Sequence, residues 1–506
     1  MVSTATPAPA TPDRPRGRVR PHAPRFDATV AFLAASGYLL ALALGMAHLS
    51  FDIWGAMVVG PVLVAISIPL LGAAIRRESD PRMGRLLVAA FVAKMAGSLV
   101  RYAVTFEVYA GRADAGGYHG SGRRLAEAFW SGNWATVYAA EVGKMGGTEF
   151  LRLVTGLVYI GTGPTKLGGF LVFSWLGFWG LYWCYRAFRV GFPEGDHRRY
   201  ALLLFFLPSL LYWPSSIGKE AWMLCTLGLT AYGVALVLRY RTRGYLVLGL
   251  GLALTAAVRP HVSLLAFAAL FIAYLLRRRS WRDSDTGLLG RLAGLAVLTL
   301  IGGLLLTQAA SYFHLQDVKP GSVSTVLDRT QNQSATGNSQ YAVSRPKSPG
   351  EYPEAVTTVL FRPFPWEAGN AQAMVAALEG TFVALLVVLS LPRLARLPRM
   401  LVTTPYVTFA AAYTAMFVFA FSSVGNFGII TRQRTQVFPF VLVLLAIPLL
   451  DRRSPAPRAR RAPPAAEPTE AAAATGAAVV TRPRRRHWDW TPPRRRPPPG
   501  QGPDAA

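Results

Sequence analysis

Acidic residues are scarce in this chain: 26 Asp and Glu stand against 53 Lys and Arg, a formal charge of +27. In a soluble protein that balance points to nucleic acid. Here the basic residues sit mainly at the two ends and in short gaps between apolar stretches, so no nucleic-acid partner is expected. Cysteine is nearly absent. Cys184 and Cys225 both lie inside apolar stretches, which excludes a disulfide framework and a zinc site. The seven histidines are scattered, with no close pair at metal-ligand spacing. No cleavable signal peptide is expected, because the apolar run after Phe26 is too long for one.

Long apolar stretches are what the chain has instead. Twelve of them, each long enough or nearly so to cross a bilayer, fill Ala28 to Leu450. A span needs about 20 apolar residues for a core about 30 Å thick. Only a helix satisfies its own backbone in lipid. The predicted fold class is therefore all-α, a polytopic membrane protein with about 12 transmembrane helices and two long outer-face loops.

The first spans run about Ala28–Leu49, Ile53–Ile75, Leu86–Phe106 and Phe170–Phe188; the fifth, Tyr200–Trp213, is short and broken by Pro208. The ninth covers about Leu288–Ala309 and the twelfth about Val437–Leu450. Arginine collects in every second gap, as in Arg76–Arg85, Arg277–Arg279 and Arg393–Arg399. The positive-inside rule then places both termini in the cytoplasm of a cell-membrane protein, with segments 107–169 and 310–370 outside. Residues 1–27 read as a disordered basic tail, and residues 451–506 as a disordered Pro/Ala/Arg tail. Phe150–Ile160 is short for a span and reads as interfacial or re-entrant. Gln316–Ser348, rich in Ser, Gln and Asn, reads as a mobile loop.

With that orientation the unusual polar residues sort to the outer side: Asp114, Tyr118, His119, Lys144, Glu149, Lys166, Lys219, Glu220, Arg259, His261, Arg362, Glu367, Asn426, Arg432 and Arg434. Ionisable groups at span ends are functional candidates, since they cost free energy unless paired or wet. Asp114 opens a Gly-rich stretch that leads into an amphipathic helix with Leu125, Ala126, Phe129 and Trp130 on one side. It is either a base or metal-binding carboxylate, or an Asx-turn or helix cap.

Arg259, Arg362, Arg432 and Arg434, with Lys219 and His261, suit an anionic lipid head group, because Arg offers planar bidentate donors. Snorkelling to lipid phosphates is the plainer account of any one of them. Yet positive charge is disfavoured on the outer side, so the set together points to a bound phosphate. The Ser215–Ser216 turn is expected to open the sixth span and add its helix N-terminus. Phe361–Glu367 is stiffened by proline and aromatic. It is expected to hold Arg362 over a cavity, with Trp366 as interface anchor or saccharide platform.

Asp114, Tyr118, Ala126 and Gly132 resemble the outer-loop pattern of GT-C membrane glycosyltransferases. The loop here follows the third span, and Ala113 and Ala115 stand where a second carboxylate is usual. The resemblance implies a polyprenyl-phosphate sugar donor, a glycan or lipid-linked acceptor, and Asp114, Tyr118 and His119 at the catalytic centre, with or without a divalent metal ion. From Trp175 onward, Ser215–Glu220, Arg259–His261, Phe361–Glu367 and Arg432–Arg434 are similar to uncharacterised multi-span proteins of bacterial exopolysaccharide genes. There Glu220, Trp366 and Glu367 are candidates for saccharide contact. A Wzy-like polymerase, a lipid-linked saccharide flippase and a non-catalytic assembly protein remain alternatives. The flippase is disfavoured because the spans read as plain Leu, Ala, Val and Gly.

Overall fold

The computed structural model describes residues 28–111, 113–143, 146–276, 288–313, 321–334, 339–343 and 345–449. The two tails, Lys144 and Arg277–Arg279 lie outside the described residues. The described chain is helical, and no strand occurs in it.

Apolar length accounts for the first helices. They are α1 (Ala28–His48), α2 (Phe51–Ile75) and α3 (Pro81–Ala103), the last extended by a π-type turn at Val104–Val108. Asp80 caps α3 by accepting from Arg82 N. Helix α1 is apolar on every side, and Phe32 is 71% exposed. Such a face matches lipid rather than water. Three shorter helices follow: α4 (Asp114–Trp130), α5 (Trp134–Glu141) and α6 (Gly147–Thr162). Phe150–Ile160, too short for a span, is the body of α6. On α4, Leu125 and Ala126 are buried, whereas Phe129 and Trp130 turn outward.

Helix α7 (Lys166–Gly191) is largely enclosed, packed against α2, α3 and α10 (Lys219–Leu238). The α7–α10 crossing is close because both partners offer glycine. A Cβ on Gly180 would meet Leu224 O at 2.4 Å, and one on Gly228 would meet Gly180 O at 2.1 Å. Between them the fifth stretch is broken at Leu207, as the proline requires, into α8 (His197–Phe206) and α9 (Pro208–Tyr212).

The break leaves carbonyls without helical donors. Lys94, fully buried in α3, donates to Leu210 O at 2.7 Å and Leu211 O at 3.4 Å. The spans are thus less plain than their hydropathy implies.

The rest of the chain comprises α11 (Arg243–Ala256), α12 (Pro260–Leu275), α13 (Leu288–Tyr312), α14 (Ser322–Ser334), α15 (Tyr352–Phe361), α16 (Ala371–Leu389), α17 (Leu391–Leu394), α18 (Leu397–Thr403), α19 (Pro405–Phe421), α20 (Phe427–Gln433) and α21 (Phe438–Leu445). Helix α14 falls within Gln316–Ser348, where a loop was expected; Val323, Leu327 and Thr330 recur at helical spacing there. Six described helices are long and apolar enough to cross a membrane: α1, α2, α3 with its π turn, α7, α10 and α16. A seventh candidate is the pair α18 and α19, bent by 117°. Helices α11 and α12 and the stretch Leu298–Tyr312 are apolar but shorter.

Candidate functional site

Asp114, Tyr118, Lys219, Glu220, Arg259 and Arg432 line one polar cavity of about 310 Å³. They arrive on separate elements of the chain. Helix α4 brings Asp114 and Tyr118, and it is held against α6 by two glycines. A Cβ on Gly122 would lie 2.6 Å from Thr155 Cγ2, and one on Gly156 would lie 2.8 Å from Leu125 Cβ. Helix α6 in turn adds Thr148 and Arg152 to the wall. Its start is tied to the end of α11, where Gly147 N donates to Ala257 O at 2.9 Å. That tie draws in Arg259, two residues later.

Helix α20 brings Arg432 and Gln433. Asn426 caps it, accepting from Ile429 N at 3.1 Å, and Phe427 stacks on Tyr341 with ring centres 4.3 Å apart. Helix α10 begins at Lys219, so its free N–H groups and positive dipole end lie at the cavity. Ser215 does not cap it. Ser215 is buried and donates back to Leu211 O at 2.5 Å.

The charges interlock. Arg432 Nη1 donates to Asp114 Oδ2 at 2.8 Å, and Arg259 Nη2 lies 3.7 Å from Glu220 Oε1. Arg259 also donates to Gln433 Oε1. Burial lowers the Arg259 pKa, with Glu220 opposing it. Burial also works against the Arg432 charge, but Glu220 and Asp114 outweigh it and raise its pKa. Burial, then the Glu220 charge, raises the Tyr118 phenol. Tyr118 is therefore a neutral hydrogen-bonding group at neutral pH. Lys219 has no hydrogen-bond partner among the described residues. Four cations (Arg152, Lys219, Arg259, Arg432) face two carboxylates (Asp114, Glu220), so the wall carries a net charge of about +2 at neutral pH.

Other expected site residues are placed elsewhere. His119 turns away to Tyr159, with Nδ1 2.8 Å from the hydroxyl, and burial lowers its pKa. His261 sits among the rings of Tyr312, Phe313 and Phe421. Arg362 does not line the cavity. It is drawn to Glu367, whose oxygens accept from Arg362 Nε at 3.0 and 3.1 Å, and its guanidinium covers the rings of Tyr341 and Phe427. Trp366, 81% exposed, stacks on Phe364. Arg434 is turned the other way, its Nε donating to Val359 O at 2.6 Å.

Arg152, Thr148 and Gln433 were not singled out from the sequence. Arg152 stood inside a stretch read only for its apolar residues. Lys94 and Glu379 were passed over because one charge barely lowers a span's mean hydropathy.

The donor set does not fit a divalent metal. Among the described residues no three His, Cys, Asp or Glu side chains group together, and each cavity carboxylate already faces a guanidinium. Compared with protein-family models, curated proteins and solved structures, the chain matches none.

Proposed function

We propose that this chain is an outer-face membrane glycosyltransferase that uses a polyprenyl-phosphate-linked sugar in cell-surface glycan assembly. One observation carries the reading. Residues from four separate helices and one loop converge on a cavity with net positive charge and a carboxylate at its rim. Lys219, Arg259 and Arg432 bind the lipid phosphate and offset the charge that develops on it as the sugar leaves. Asp114, the more exposed carboxylate of the cavity, accepts the proton of the incoming acceptor hydroxyl. Tyr118 and Glu220 position the saccharide. No metal takes part in any step.

In this reading the shorter apolar helices complete about twelve crossings, both termini are cytoplasmic, and the segments 107–169 and 310–370 face outward. A polymerase joining lipid-linked repeat units would use the same cations. A flippase is supported less. Lys94 is held by helix carbonyls and Glu379 by Ser209, so neither is spare to carry a charged group across. The test mixes purified protein, lipid-linked sugar and acceptor in detergent, where no second compartment exists. A glycosidic product is expected. No product, together with movement of labelled lipid across a vesicle membrane, overturns the transferase in favour of the flippase.

A further inference from the structure

A second cavity of about 380 Å³ lies between α3, α9, α16 and α20. Val100, Val104, Val375, Ala376 and Phe438 give it an apolar wall. Val100 and Val375 are also more than half exposed on their helices. Both helices are span candidates, which sets these exposed valines, and the side of the cavity they form, against lipid. It shares no lining residue with the Asp114 cavity.

One cation reaches into it. Arg434 is only 3% exposed, and after Nε is spent on Val359 O its Nη2 remains buried without a partner. It joins no ion pair among the described residues. Glu379 lines the same wall but is turned to Ser209, accepting from its N at 2.9 Å and its Oγ at 2.7 Å. The Glu379 charge offsets part of the cost of burying this guanidinium but gives Nη2 no hydrogen bond, and an anion at Nη2 supplies one. The remaining wall suits a hydrocarbon chain, and the volume falls within the range of small-molecule sites.

We propose that this cavity binds an anionic membrane lipid, one chain in the apolar groove and its phosphate on Arg434. The lipid-facing valines name the source, since the anionic charge of most bilayer lipids is carried by a phosphate. The site goes beyond the transferase reading and stands if that reading fails. It also touches the first site mechanically. Within one helical turn, Thr431 and Arg434 face the lipid cavity while Arg432 and Gln433 face the polar one. A bound lipid holds α20, and with it Arg432, in place.

The test uses the full chain in detergent with a photoreactive alkyl phosphate, and with the alkyl carboxylate and alkyl alcohol of equal chain length. Labelled peptides are read by mass spectrometry. The phosphate is expected to label the peptides that carry Val100, Val375 and Phe438, at least tenfold more than the alcohol does. Arg434→Gln is expected to abolish that difference, and Arg434→Lys to restore part of it. Val375→Trp, on an exposed face that folding does not need, fills the groove and is expected to block labelling. Equal labelling by the alcohol, or wild-type labelling of the Val375→Trp protein, overturns the proposal. Labelling by the carboxylate without the phosphate overturns the phosphate head group.

Discussion

Replacing Arg432 by Ala separates a binding role from a structural one. In the folded protein Arg432 meets Asp114 at 2.8 Å, but the Asp114 side chain is 70% exposed. An ion pair that open to solvent contributes about 0–1 kcal/mol to stability. Its other bond, from Nε to Gly428 O, lies within its own helix. Arg432→Ala is therefore expected to fold and insert normally, with a melting temperature within a few degrees of wild type. The phosphate it binds fares differently. Losing one charge-assisted hydrogen bond costs about 1.5–3 kcal/mol, or roughly 10- to 150-fold in affinity. Arg432→Lys is expected to recover only part, because an ammonium cannot bind in bidentate fashion. The assay is equilibrium binding of a fluorescent polyprenyl phosphate to protein in nanodiscs, alongside thermal unfolding of the same samples. Unchanged affinity in Arg432→Ala refutes the reasoning. So does a large loss of stability, which would make the Asp114–Arg432 pair a structural clasp.

Asp114→Asn is expected to cut turnover by about 10²–10⁴-fold. Phosphate binding stays equal or tightens, since a negative charge leaves the cavity. Near-normal product would reduce Asp114 to an ion-pair partner of Arg432. Gly228→Ala is expected to destabilise the chain by about 1–3 kcal/mol or more through overpacking, seen as a lower unfolding temperature, because its Cβ would strike Gly180 O. His119 carries a lowered pKa from burial, so the folded state binds its proton less readily than the unfolded state. Stability from this group is present above about pH 6.5 and is lost as pH falls below it. His119→Gln is expected to flatten that limb of the pH–stability curve. For topology, Val323→Cys is expected to react with a membrane-impermeant thiol reagent in intact cells and Thr242→Cys to be protected. The reverse pattern overturns the orientation.

The all-helical, apolar character was legible because apolar length is a local quantity. Several residues that line the polar cavity were flagged one at a time by their charge. Their partnership was not. Asp114 and Arg432 lie 318 residues apart, and nothing in either stretch specifies the other. Arg362 shows the opposite case: Glu367, five residues on, claims it before any cavity can. Arg434, two residues beyond Arg432, was grouped with it because both were expected on the outer side. One helical turn sends the two guanidinium groups to different walls. Lys94 was hidden because hydropathy averages over a window, whereas its role depends on a break in α8–α9 more than a hundred residues away.

A cryo-electron microscopy structure with a polyprenyl-phosphate sugar analogue is the most direct test of the central claim. The account predicts the phosphate within hydrogen-bond reach of Lys219, Arg259 and Arg432, with the anomeric carbon facing the Asp114 side of the cavity. A phosphate seated elsewhere, with the Asp114–Arg432 pair closed over an empty cavity, would contradict it.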